Sequence, residues 1–228
     1  MRTPKSQKEL DELLIASHKR ESAAKIFDEL RWALTVLNLL DVRSMIEIGA
    51  ENGGSLSVWQ KLWDPMAAFI VDADVYGLAA SRENRVNRWN SWMSPTQSLD
   101  VTWGDSHSPD TKKRLIDSMA KRGLNQVDLL VVDGDHSEAG TEADYVDYSP
   151  LVRSGGLVLM EDINRYVKDD GTDREDVMGW KWWNRFKPPV ISQLIDRAPH
   201  PRPNWHVWDL FHDKDRQRSF GYGFVFKY

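Results

Sequence analysis

The chain has 228 residues and no cysteine, with 41% hydrophobic residues, 29% charged residues and a formal net charge of -5. Disulfides, thiolate nucleophiles and cysteine-held zinc or iron–sulfur centres are therefore excluded, and any metal must take oxygen or imidazole ligands. The acidic balance argues against a nucleic-acid backbone as the main partner, and the basic run Lys112, Lys113, Arg114 reads as a solvated helix face.

No apolar run is long enough to span a bilayer, and residues 1–20 are charged throughout, without the apolar core of a signal peptide. The expected location is cytoplasmic. No linker-like stretch divides the chain, so the expected organisation is a helical extension over 1–40 and one compact domain over 41–228.

Residues 6–40 carry a helical pattern. Ser6 and Glu9 form a capping box, Leu10, Leu13, Leu14 and Ser17 recur at helical spacing, and residues 23–40 read as a second helix. Their apolar faces need burial, either over a bound cofactor or against a second copy in a homo-oligomer.

After Asp41 the period changes. Ser44-Met45-Ile46-Glu47-Ile48 is a short apolar strand that runs into glycines, and further strands are expected at 68–71, 99–103, 127–132 and 156–160. Helices are expected between them at 56–62, 111–121 and 142–151. Alternating strands and helices imply a parallel sheet. The aromatic segments 205–211 and 221–226, separated by the polar turn 212–218, leave no room for a crossover helix and predict an antiparallel hairpin. The fold class is thus α/β: a Rossmann-like doubly wound sheet of five parallel strands plus that hairpin, with ligand at the carboxyl ends of the strands.

The segment Glu47 to Ser55 (E-I-G-A-E-N-G-G-S) is a strand, a glycine loop and a helix start, which permits close backbone approach to a ligand. Gly49 and Gly53 are four apart and position 51 is not glycine, so the loop departs from the dinucleotide pattern G-x-G-x-x-G. Asp72 and Asp74 end the second strand, where a carboxylate can accept from both hydroxyls of a ribose; Asp72 is the better placed. The third strand ends in Gly104-Asp105-Ser106, where a carboxylate can accept from an adenine amino group.

This ordered set, E-I-G-x-x-x-G-G-S, V-D, G-D-S and V-V-D-G-D-H, resembles the class I S-adenosylmethionine-dependent methyltransferases of the small, often metal-dependent type, over roughly residues 45–186. The resemblance implies that Glu47 and Gly49 meet the methionine part of the cofactor. It places Gly53, Ser55, Ser106 and Asp133 in the same site, with Asp72 on the ribose and Asp105 on the adenine.

Carboxylates from two neighbouring strand ends, Asp133-Gly134-Asp135-His136 and Glu161-Asp162, would share one cleft. A divalent cation would offset their repulsion, and the all-oxygen set Asp133, Glu161 and Asp162 suits Mg²⁺, with Mn²⁺ able to substitute. The spacing from Asp133 to Glu161 and the placement of His136 resemble the sugar-hydroxyl O-methyltransferases of macrolide biosynthesis. That likeness implies metal ligands at the three acids and a base at His136. A cephalosporin hydroxylase-like group is similar at the same acidic positions.

The polar stretch 165–176 is a candidate lid, and Asn164 a candidate ligand or turn residue. In the aromatic helix that follows, Trp180 and Trp183 are expected on one face, and Trp182 and Trp183 suit either core packing or acceptor stacking. Ser106, His107 and Asp110 do not make a hydrolase triad, because no nucleophile elbow accompanies them. The expected activity is methyl transfer to a hydroxyl of a small sugar or polyketide acceptor. A metal-independent N-methyltransferase and an inactive cofactor-binding domain remain as alternatives.

Overall fold

The computed structural model describes residues 3–21, 27–63, 66–75, 80–164, 172–174, 177–186, 205–210 and 221–227, with backbone alone for 18–21, 27–29 and 205–210. Two helices come first, α1 (Gln7–Glu21) and α2 (Phe27–Leu37). The expected capping box opens α1: the Glu9 carboxylate accepts from the Ser6 amide at 2.7 Å, and the Ser6 hydroxyl accepts from the Glu9 amide at 3.3 Å.

Alternation then follows in order: β1 (Ser44–Ile48), α3 (Gly54–Leu62), β2 (Ala67–Asp72), α4 (Arg82–Ser91), β3 (Ser98–Trp103), α5 (Pro109–Lys121), β4 (Val127–Val132), α6 (Glu138–Tyr148) and β5 (Val152–Glu161). A short 3-10 turn, Ser149–Leu151, joins α6 to β5. Last come α7 (Gly179–Phe186), β6 (Trp205–Leu210) and β7 (Tyr222–Lys227).

Among the described residues the seven strands form one sheet in the order β3-β2-β1-β4-β5-β7-β6. The first five are parallel, β7 runs antiparallel to β5, and β6 antiparallel to β7. Five parallel strands and a closing hairpin are what the alternating pattern predicts. The chain direction across the sheet reverses between β1 and β4, which is where a doubly wound sheet opens its ligand crevice. Ile48 pairs with both Val71 and Val132, so the loops after β1, β2 and β4 leave the sheet at one level.

Every side chain of β1 is buried, because helices cover both faces of the sheet. On one face Leu14, Leu34, Leu56 and Trp59 pack on Met45 and Leu129. On the other, Leu115, Tyr145 and Trp183 pack on Ile46 and Leu130. Each of these fully buried apolar side chains contributes about 1.5–3 kcal/mol. The first helix is seated on α3 by polar contacts too: the Ser17 hydroxyl reaches the Gly54 carbonyl at 2.9 Å and the Ser57 hydroxyl at 2.8 Å. Among the described residues no helix is long and apolar enough to cross a membrane.

Three local expectations need correction. Helix α4 was not anticipated, since its buried side chains are Arg85 and Trp89 and a helix that buries an arginine shows no apolar period. Helix α6 starts four residues before the expected 142 and is capped by Ser137, whose hydroxyl accepts from the Gly140 amide. The buried face of α7 is Trp182, Trp183 and Phe186, with Trp180 only partly covered. Trp182 stacks on Phe186 at 4.7 Å and Tyr145 lies 5.1 Å from Trp182, so these rings are core. The hairpin turn 212–218, the proline loop 197–204 and all of the candidate lid except 172–174 lie outside the described residues.

Candidate active site

The glycine loop after β1 is held from two sides. Gly49 (φ 81°) and Gly53 (φ 86°) take left-handed backbone, and a Cβ on Gly49 would lie 2.0 Å from the Asp133 carbonyl oxygen. Glycine at 49 is therefore what lets the loops after β1 and β4 touch. Between the two glycines, the Asp72 carboxylate accepts the Ala50 and Glu51 amides at 3.0 and 2.9 Å, and α4 grips the carbonyls. Arg85 donates to Glu51 O at 3.0 Å, while Arg88 and the Trp89 indole donate to Asn52 O at 2.7 and 3.0 Å. Beneath the loop, Glu47 is fully buried and accepts from the Ser55 hydroxyl at 2.5 Å, which ties the strand end to the first turn of α3.

The acids at the end of β2 are more committed than their sequence positions suggest. The other oxygen of Asp72 accepts the Asp74 amide at 2.7 Å. A carboxylate offers about four acceptor positions, so roughly one is left, enough for one ribose hydroxyl and not two. Asp74, at φ 60°, is paired with Arg82 at 2.8 Å and with Arg85. The arginine pair draws its carboxyl below the usual range, with the Arg82 hydrogen bond as the main cause.

At the end of β3 the Asp105 side chain is 68% exposed and accepts the His107 amide at 2.9 Å through one oxygen, leaving the other toward solvent. Ser106 is buried, and its carbonyl accepts the Tyr148 hydroxyl of α6 at 2.7 Å.

The ends of β4 and β5 bring together Asp133, His136 and Asp162, each offering a ligand atom within 4.8 Å of the others. His136 Nδ1 lies 2.7 Å from Asp162 Oδ2. Asp162 takes left-handed backbone (φ 55°), a conformation that costs a non-glycine residue about 1–2 kcal/mol and that turns its side chain toward the histidine. Glu161, grouped with these acids from sequence, instead belongs to the sheet: it pairs with Tyr222 of β7, is 6% exposed, and is not in the cluster. The His136 carbonyl accepts two amides from the start of α7, Met178 at 2.7 Å and Gly179 at 2.9 Å. The aromatic helix thus supports the site through backbone. Asn164 lies partly buried just beyond.

Two participants escaped the sequence reading. The α4 residues Arg85, Arg88 and Trp89 carry no motif, although the spacing 85, 88, 89 fits one helical face. Asp144 of α6, completely buried beside His107, looks in sequence like one more polar helix residue.

The comparisons agree with this fold. No curated protein matches the sequence. The fold is similar to the O-methyltransferase from Bacillus cereus in complex with SAH, 15% identical, covering 99% of this chain and 92% of that one with a TM-score of 0.56. It is similar to TomG from Streptomyces achromogenes, an O-methyltransferase involved in tomaymycin synthesis in complex with SAM (12% identical, 96% and 89% covered, TM-score 0.56). It is also similar to the MycE methyltransferase of the mycinamycin biosynthetic pathway in complex with Mg and SAH, at 17% identity, 94% of this chain, 54% of that one and a TM-score of 0.56. A family model described as a methyltransferase domain matches residues 46–163, more than half of the sequence, and the chain belongs to that family of methyltransferase domains.

Proposed function

We propose that this chain transfers a methyl group from S-adenosylmethionine to a hydroxyl of a small acceptor, with His136 as the base and a divalent cation assisting. The observation that carries the cofactor assignment is the use made of Asp72. In a dinucleotide site the amides of the glycine loop point at a pyrophosphate. Here the Ala50 and Glu51 amides are already taken by a carboxylate, so the loop has no donors to spare there. That arrangement disfavours a pyrophosphate, a group that S-adenosylmethionine does not carry.

For the chemistry, His136 has one ring nitrogen on Asp162 and so can present the other to an acceptor hydroxyl. The carboxylate fixes the ring and stabilises the imidazolium formed when the proton arrives. S-adenosylmethionine, when bound, supplies an activated methyl group. Positioning falls to the backbone: Gly49 packs against Asp133, and α7 holds the His136 carbonyl.

The cluster also fits a divalent ion, since donors within 4.8 Å of one another can share a centre with bonds of about 2.0–2.6 Å. Asp133 and Asp162 would hold it through carboxylate oxygens, with the His136 ring left to act as the base. Carboxylate oxygens suit Mg²⁺, with Mn²⁺ able to substitute. A bound ion supplies Lewis acidity that lowers the pKa of an acceptor hydroxyl. The short His136–Asp162 contact favours a second reading, a metal-free base dyad.

The MycE structure with Mg, SAH and mycinamycin VI supports a sugar- or polyketide-borne hydroxyl as the acceptor class. The test is calorimetric titration of EDTA-treated protein with S-adenosylmethionine, with and without Mg²⁺ or Mn²⁺, using NAD as control. Cofactor binding with a separate metal signal that disappears in Asp162→Ala supports the metal-assisted reaction; cofactor binding without a metal signal supports the dyad. Binding of NAD in place of S-adenosylmethionine would overturn the assignment.

A further inference from the structure

Asp144 sits on α6 with no exposed surface. Its Oδ1 lies 3.3 Å from His107 Nε2. On the far side of the imidazole, His107 Nδ1 lies 3.6 Å from Asp105 Oδ1. One turn along α6, Tyr148 holds the Ser106 carbonyl. Helix α6 therefore contacts the loop after β3 at two consecutive residues, Ser106 and His107, although β3 and β4 are separated in the sheet by β2 and β1. A fully buried carboxylate is costly unless something is gained by placing it there.

We propose that His107 and Asp144 are positioning residues for nucleobase recognition: Asp144 fixes the His107 ring, and the ring and the His107 amide together fix Asp105 so that its free oxygen meets an exocyclic amino group. This rests on the S-adenosylmethionine reading above and assigns cofactor selectivity to two residues outside the glycine loop. Asp105 alone is a solvent-exposed side chain, and an exposed rotor discriminates poorly because ordering it on binding costs side-chain entropy. Held by its own amide contact and faced by the imidazole, it is ordered before the ligand arrives. A fixed acceptor selects adenine, whose amino group donates, and rejects hypoxanthine, whose oxygen at the same position only accepts.

The experiment measures affinity for S-adenosylhomocysteine and for S-inosylhomocysteine in wild type, His107→Ala, His107→Asn and Asp144→Asn. Wild type should prefer the adenine compound by at least about tenfold, as a site built around a required hydrogen bond does. In His107→Ala and Asp144→Asn the ratio should fall below about threefold, chiefly through weaker adenine binding. The shorter amide in His107→Asn, which keeps a polar group facing Asp105, should recover part of it. An unchanged ratio in folded His107→Ala, or an equal loss of affinity for both compounds, would overturn the proposal, because a residue that only stabilised the fold would weaken both alike. Because His107 is partly exposed, its variants carry the test even where Asp144→Asn does not fold. Wild type that binds neither compound overturns the methyltransferase reading itself, and this inference with it.

Discussion

Replacing Asp72 by alanine should unfold the cofactor loop as well as remove a ligand contact, and the two effects can be measured apart. Asp72 is 7% exposed and accepts three backbone amides, at 3.0, 2.9 and 2.7 Å, with Arg85 4.0 Å away. A hydrogen bond to a charged group contributes about 1.5–3 kcal/mol, and the three do not add in full because the Glu51 amide regains water. Loss of the carboxylate also leaves Asp74 as the remaining carboxylate beside buried Arg85. The combined cost is about 3–5 kcal/mol, the range for removing one member of a buried charged network. For a chain of this length each kcal/mol shifts Tm by about 2–4 °C, so Asp72→Ala should melt about 6–20 °C below wild type in the absence of any ligand. The assay is thermal unfolding followed by circular dichroism, without ligand and with saturating S-adenosylhomocysteine. If Asp72→Ala melts within about 2 °C of wild type yet no longer responds to ligand, Asp72 is a ligand contact alone and the loop argument fails.

Other substitutions probe the remaining joints. Gly49→Ala places a Cβ against the Asp133 carbonyl in a left-handed backbone, and should cost about 3–5 kcal/mol and abolish cofactor binding, read by thermal unfolding and calorimetry. In Gly179→Ala the new methyl would lie 2.6 Å from Thr141 Oγ1, pushing α7 and its two amides off the His136 carbonyl; kcat should fall about tenfold, and Thr141→Ala in the same chain should restore most of it. Burial, opposed by Ser106 and His107, pushes the Asp144 carboxyl from 3.8 to about 6. The folded state then holds this proton more tightly than the unfolded chain, so its contribution to stability is full below pH 4 and is lost as pH rises to about 6, at most about 3 kcal/mol. Asp144→Asn should flatten that limb in urea unfolding between pH 4 and 7, and a limb of unchanged slope would contradict the assignment.

Much of the fold was legible because period and punctuation agreed. The run Val127 to Val132 has the length of a buried strand and is bounded by turn residues, and it appears as β4 with those limits. The hairpin was readable from the lack of room for a crossover helix. What stayed hidden was α4, since its buried residues are an arginine and a tryptophan that donate to the carbonyls of Glu51 and Asn52. Those acceptors lie more than thirty positions away in the chain, and no local pattern can report them.

The candidate site divides along the same line. Motifs locate strand ends, and the residues expected there do lie at the carboxyl edge of the sheet, but a motif does not say which lone pairs the protein has already used. Asp72 illustrates the cost of that silence: the sequence offers a carboxylate for two hydroxyls, and three amides reduce its free capacity to about one. The Glu161-Asp162 pair illustrates another. Adjacent residues of a strand point to opposite sides, so the two acids could not both face one centre while the strand stayed regular. The chain keeps Glu161 in register with Tyr222 and breaks the strand at Asp162, whose left-handed backbone brings its carboxylate to His136. A pair of acids that reads as one signal in sequence is thus separated by the geometry of the strand end, and it is the strained member that reaches the histidine.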